Sequence, residues 1–213
     1  LVQFRALDRQ LDKIDDQLRM LGNEPGDHEA AVDVPGRGSY LTEFAVGKGG
    51  DIFRENTGKL MKAGSRISFD NHYHSVGEEI TTQTDLGVWF HPKGYEPTQD
   101  VQFLFFGNGP DIDILPLQDN QRMDAYFTLP ENTKLSVYEP HMHAPGVRMC
   151  LEAVWGTTVQ TLNCSGYDHN WVRVYKYEDD AAPLLPKGTI LHLTGYFNNS
   201  LTNPNVADPR NWS

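Results

Sequence analysis

The first 22 residues, LVQFRALDRQLDKIDDQLRMLG, place Phe4, Leu7, Leu11, Ile14, Leu18 and Leu21 three or four apart, with mostly charged and amide residues between them. That spacing predicts a short amphipathic helix with one narrow apolar seam, ended by Gly22. A seam this narrow suits docking, on the chain's own body or on a protein partner through residues 1–22, better than a long coiled coil. Residues 23–38, NEPGDHEAAVDVPGRG, are polar and rich in Pro and Gly and read as a linker, with His28 exposed to solvent. From Ser39 onward the pattern shortens to alternating or β-branched runs between turn residues. SRISFDNHYH, LGVWFH, VQFLFF, LSVYEP, CLEAVW, VQTLNC, WVRVYKY and TILHLTGYF are such runs, and they predict an all-β region. The stretch GPDIDILPLQDNQ, residues 109–121, interrupts them with Pro, Gly and Asp and divides the region into two consecutive β-sandwich domains. The expected organisation is therefore a helix and linker over 1–38, a first β domain over 39–115 and a second over 116–213.

Charge and composition exclude several classes of function. A formal net charge of −11 over 213 residues, without a cluster of Lys and Arg, argues against nucleic-acid binding. No apolar run reaches the length of a membrane-spanning helix. Phosphate loops, dinucleotide fingerprints and nucleophile elbows are all missing, so covalent hydrolysis has no support. The chain opens on Leu1 rather than Met, which leads us to expect a processed or partial polypeptide. Its two cysteines flank LEAVWGTTVQTLN, which reads as two strands around Gly156-Thr157-Thr158. A hairpin centred on Thr157 pairs residues whose numbers sum to 314, as 150 and 164 do. Cys150 and Cys164 would then face each other and form a disulfide, implying a periplasmic or otherwise extracytoplasmic location; the other reading is two buried thiols in a reduced protein.

The candidate chemistry lies in two H-x-H pairs, His72 and His74 in SFDNHYHSVGEE, and His141 and His143 in SVYEPHMHAPGVRM. Residues two apart on an extended segment share a face, so each pair of imidazoles can converge on one metal ion. Pro140 before the second pair and Pro145-Gly146 after it supply a stiff frame. Against metal binding stands the alternative that one histidine caps a turn while the other is hydrogen-bonded in the core, and at the first pair that Tyr73 is the buried side chain. His91, His169 and His192 are single histidines in strand-like segments and read as structural. Glu78, Glu79 and Glu152 lie near the pairs without a spacing that singles out an acid and a base. A cupin reading, with HYHSVGEE as H-x-H-x3-E and PKGTILH as an approximate second motif, separates its motifs too widely for that fold.

The blocks MKAGSRISFDNHYHSVGEEITTQTDLGVWF, PHMHAPGVRMCLEAVW, YDHNWVRVYKY and LPKGTILHLTGYFNNSLTNPNVADP, in that order over roughly residues 39–213, resemble the copper type II, ascorbate-dependent monooxygenase family. The bacterial relatives of peptidylglycine alpha-hydroxylating and dopamine beta-monooxygenase belong to it. The resemblance implies two jelly-roll domains, each with one copper, that hydroxylate a C–H bond of a small-molecule or peptide substrate. Oxygen is the oxidant, and ascorbate or a cytochrome the reductant. It assigns the oxygen-binding copper to His141 and His143, and one ligand of the electron-supplying copper to His72; His74 is the further candidate ligand there. Three departures accompany it. No His-His pair occurs in the chain, the family's Met ligand would lie beyond Ser213, and HMHAPGV stands where bacterial relatives commonly carry HMHLRGK. These departures imply either a fragment of a longer enzyme or a member that has lost chemistry, and the missing His-His and Met support the alternative of a non-catalytic scaffold or binding subunit of an extracytoplasmic complex.

Overall fold

The computed structural model describes residues 40–69, 71, 73, 77–107 and 112–211. The expected N-terminal helix and linker, together with His28, His72 and His74, lie outside the described residues. Among the described residues all regular structure is β, and no helix occurs. The chain divides into two compact units between Leu104 and Phe105, so residues 112–121 belong to the second.

Strands organise the second unit. Its main sheet contains β3 (Gln118–Thr128), β6 (Gly146–Trp155), β7 (Thr158–Gly166) and β10 (Ile190–Asn199), in the order β3-β10-β6-β7. Every neighbouring pair is antiparallel. Two short ladders accompany it, β4 (Thr133–Lys134) with β9 (Leu184–Leu185) and β5 (Val137–Tyr138) with β8 (Tyr175–Lys176). Strand side chains alternate between faces, so the register sorts the residues into two sets. Ala125, Met149, Leu151, Ala153, Leu191 and Phe197 form the buried face. Arg122, Asp124, Tyr126, Arg148, Cys150, Glu152, His192, Thr194 and Tyr196 share the other. Burying each large side chain of the first set contributes about 1.5–3 kcal/mol, which fixes which way the sheet faces. Strand β3 answers to no run picked out above. It begins at Gln118 inside the interval read as a break, and its polar sequence QDNQRMDAYFT hides an alternation of Met123, Ala125 and Phe127 just after that interval.

Cys150 and Cys164 are bonded to each other, opposite one another in the β6–β7 hairpin. The turn, however, is not centred on Thr157. Trp155 pairs with Thr158, leaving Gly156-Thr157 as a two-residue loop, and Gly156 at φ 56° provides the positive angle that a type II′ turn requires at its first central position. In that register Cys150 would meet Asn163. A bulge intervenes: Glu152 pairs with Thr161 but Leu151 with Asn163, so Leu162 is the extra residue. The Tyr177 hydroxyl donates to the Leu162 carbonyl at 2.9 Å, and beyond this point the two cysteines meet.

Among its described residues the first unit carries little regular structure. Its ladder is a parallel pair of two-residue strands, β1 (Thr57–Gly58) and β2 (Gln99–Asp100). The runs LGVWFH and VQFLFF, expected as strands, carry no ladder; Trp89 and Phe90 are 85% and 74% exposed, so no apolar face holds that segment in a sheet. His91 is structural here. Its Nε2 donates to the Thr57 carbonyl at 2.9 Å and its ring stacks on Tyr95, whose hydroxyl donates to Asn56. Glu78 and Glu79 are exposed.

Candidate functional site

The segment joining β5 to β6 carries the second H-x-H pair. Pro140 is fully buried, and the chain then alternates: His141 exposed, Met142 buried, His143 exposed. Met142 is the anchor of this alternation. A β-carbon on Gly195 would lie 2.9 Å from the Phe197 ring and at an ordinary 3.4 Å from the Met142 Cε, so the bare glycine of β10 makes room for Phe197, and Met142 reaches the sheet beside it. Once Met142 points into the sheet, its two neighbours point away from it together.

Backbone contacts complete the frame. The Tyr167 hydroxyl donates to the Met142 carbonyl. Gly146 N–H donates to the His143 carbonyl at 2.8 Å and closes the turn, and Asn198 N–H donates to the Pro145 carbonyl at 2.7 Å. The buried Asn203 amide donates to Ala144 at 3.1 Å and to Asn198 at 2.8 Å, tying the H-x-H loop to the chain beyond β10. Burial raises the Tyr167 phenol above its ordinary value, with the bond to Met142 opposing it.

The two imidazoles have centroids 5.8 Å apart and planes at 76°. Both line one pocket of about 490 Å³ that lies wholly in the second unit. Its floor is the buried sheet face, with Met123, Met149 and Leu193, and Phe106, Ile112 and Ile114 form a further wall. With metal–nitrogen bonds of about 2 Å, two imidazoles on one ion hold their centroids roughly 5–6 Å apart, so the observed spacing fits a shared ion. Among the described residues no group of three or more His, Cys, Asp and Glu side chains is placed to hold a metal. Among the described residues a third protein donor to this pair is therefore of another type, and the lining offers the thioethers of Met123 and Met149.

His192 lies on the opposite face of the sheet and is built into a different network. Its Nδ1 is 3.0 Å from the Glu152 carboxylate and its Nε2 is 2.7 Å from Asp124, so both ring nitrogens are already engaged. Tyr126 stacks on the ring at 4.5 Å, and Arg122 chelates Asp124 with Nε and Nη2. Burial pulls the Asp124 carboxyl up, but the hydrogen bonds from Arg122 and His192 outweigh it and leave the group below its ordinary value. Glu152 thus serves this network. His169 sits exposed in the turn after β7.

Of the residues that position the pair, Gly146 belongs to the expected Pro145-Gly146 frame, whereas Tyr167, Gly195 and Asn203 were not singled out in the sequence and carried no local signal there. Comparison with known proteins returns no match to a family model, a curated protein or a solved structure.

Proposed function

We propose that the chain is a copper-dependent monooxygenase-like protein in which His141 and His143 hold one copper ion at the edge of the second unit's pocket. The observation that carries this reading is the pair of rings, 5.8 Å apart, on the rim of a single apolar pocket whose lining also contains thioethers. Two imidazoles with a soft sulfur donor suit reduced copper. When bound, copper would supply dioxygen activation: one oxygen atom enters a substrate C–H bond and the other leaves as water, with two electrons drawn from ascorbate or a cytochrome and two protons from the reductant or solvent. The chain's own residues bind and orient. Met142, Tyr167 and Asn203 fix the backbone that presents the histidines, and Phe106, Leu193 and Phe197 keep water from the pocket floor. His72, with His74 as a further candidate, belongs to the second, electron-supplying copper in this reading, and the two units correspond to jelly-roll domains. The Cys150–Cys164 disulfide supports an extracytoplasmic location.

A scaffold lacking catalysis is the competing reading. The want of a third His, Cys, Asp or Glu beside His141 and His143 among the described residues favours it. Copper titration of the purified chain under reducing conditions, with ascorbate-dependent oxygen uptake measured alongside, separates the two. Tight copper binding lost in the His141→Ala/His143→Ala double variant, with stability changed by less than about 0.5 kcal/mol because both side chains are exposed, upholds the enzyme. No copper uptake, or uptake indifferent to both histidines, leaves the scaffold.

A further inference from the structure

The pocket beneath the two histidines has a chemistry of its own. Its volume of about 490 Å³ falls within the roughly 300–1,000 Å³ of small-molecule sites. Phe106, Ile112, Ile114, Leu193 and Phe197 give it hydrocarbon walls, and Ala144 and Pro145 bring no polar side chain to its rim. Among the described residues, Asp124 is the acidic one that reaches the lining. It does so between Met123 and Ala125, whose side chains alternate with its own, and its carboxylate bonds Arg122, His192 and Thr194. Among the described residues of the lining, a ligand carboxylate or phosphate entering the pocket meets no Lys or Arg, and a ligand ammonium meets no carboxylate that is not already bonded to cationic or polar groups. Either charge would lose its hydration without a replacement partner. The polar groups at the edge are the two imidazoles.

We propose that this pocket takes an uncharged, predominantly apolar small molecule, lying against the sheet face with one end at the His141 and His143 rings. Binding itself needs no metal. Only the further step of naming this molecule the substrate rests on the monooxygenase reading, and it sets the substrate class as neutral and hydrocarbon-rich rather than charged or peptidic.

The test is a fluorescence titration of the full chain, freed of metal by chelation, with neutral N-phenyl-1-naphthylamine and with its sulfonated relative 8-anilino-1-naphthalenesulfonate. The expected result is saturable single-site binding of the neutral probe, about tenfold or more tighter than the sulfonate. Leu193→Asp and Ile112→Asp should each weaken it by about tenfold or more. Ile112 is 40% exposed, so its replacement leaves the fold intact even where Leu193→Asp does not, and near-UV circular dichroism identifies the folded variants. Unsaturable uptake, equal or tighter binding of the sulfonate, or unchanged affinity in a folded Ile112→Asp variant would overturn the proposal. Probe binding in this pattern by a chain that takes up no copper sinks the monooxygenase reading and keeps the pocket. Copper uptake without probe binding does the reverse.

Discussion

A β-carbon on Gly146 would stand 2.4 Å from the Cβ of Met142 and 3.1 Å from the His143 carbonyl oxygen. The glycine at the start of β6 and the methionine between the two histidines therefore occupy one another's space. Gly146→Ala must push Met142 out of its seat or unwind the turn, at about 1–3 kcal/mol of overpacking. We expect a lower melting temperature and, because Met142 orients its neighbours, weaker copper binding as well. Chemical denaturation and metal titration of the variant check both.

Tyr167 and Asn203 hold the same loop through carbonyls. Tyr167→Phe removes the donor to Met142 and should cost about 0.5–1.5 kcal/mol, while Asn203→Ala leaves two carbonyls without their donor and should cost about 1–3 kcal/mol. If both losses appear in urea titrations without a change in copper affinity, the loop is stiff enough to keep its geometry without these bonds.

The network around Asp124 makes a prediction about acid. Asp124 faces Arg122, His192 and Thr194, with Glu152 on the far side of the imidazole and Tyr126 and Tyr196 beside them. Its folded pKa is lowered, so the unfolded chain takes up the proton first as pH falls. The stabilisation it contributes is complete above the ordinary carboxylate range and disappears as pH drops through the lower, folded value. Asp124→Asn should cost on the order of 1–2 kcal/mol at neutral pH, given partial exposure. The gap between variant and parent should close below about pH 4, as denaturation curves across pH would reveal; a gap constant down to pH 2 would remove the carboxylate from the explanation.

The disulfide closes a short loop, and its removal should lower stability by about 3 kcal/mol on the chain-entropy model. The Cys150→Ser/Cys164→Ser variant is the measurement, with urea titration before and after reduction of the parent as the control. The unreduced parent should release no titratable thiol on unfolding.

What could be read in the sequence followed from period two. The alternation that points His141 and His143 the same way is a property of any extended chain. The side of the sheet they occupy is not, because it depends on Met142 reaching the sheet beside Gly195 and Phe197, more than 50 positions later in the chain. The cysteine pairing was legible as a sum of positions, yet the hairpin reaches it by a two-residue turn corrected at Leu162, and a bulge has no local signature in VQTLNC. Strand β3 was obscured by its own polarity, since one of its faces carries Arg122, Asp124 and Tyr126 in the cross-strand network. His192 was read as structural and is hydrogen-bonded at both nitrogens, but its partners Asp124 and Glu152 lie 68 and 40 positions away. Pairings across that distance are set by the sheet.

The position of β10 has a consequence for synthesis. It is the latest of the described strands in chain order, yet it sits between β3 and β6, which do not touch each other in the ladder. As the chain leaves the ribosome, the β6–β7 hairpin can close on local contacts and bring its thiols together early. Strand β3 must wait, unpaired, until residues 190–199 emerge and slot between the two halves. The seat for Met142 arrives with Gly195 in that same strand. A nascent chain halted before Ile190 could thus be oxidised at its cysteines while its histidines still lack a platform, leaving an exposed strand for chaperones to shield.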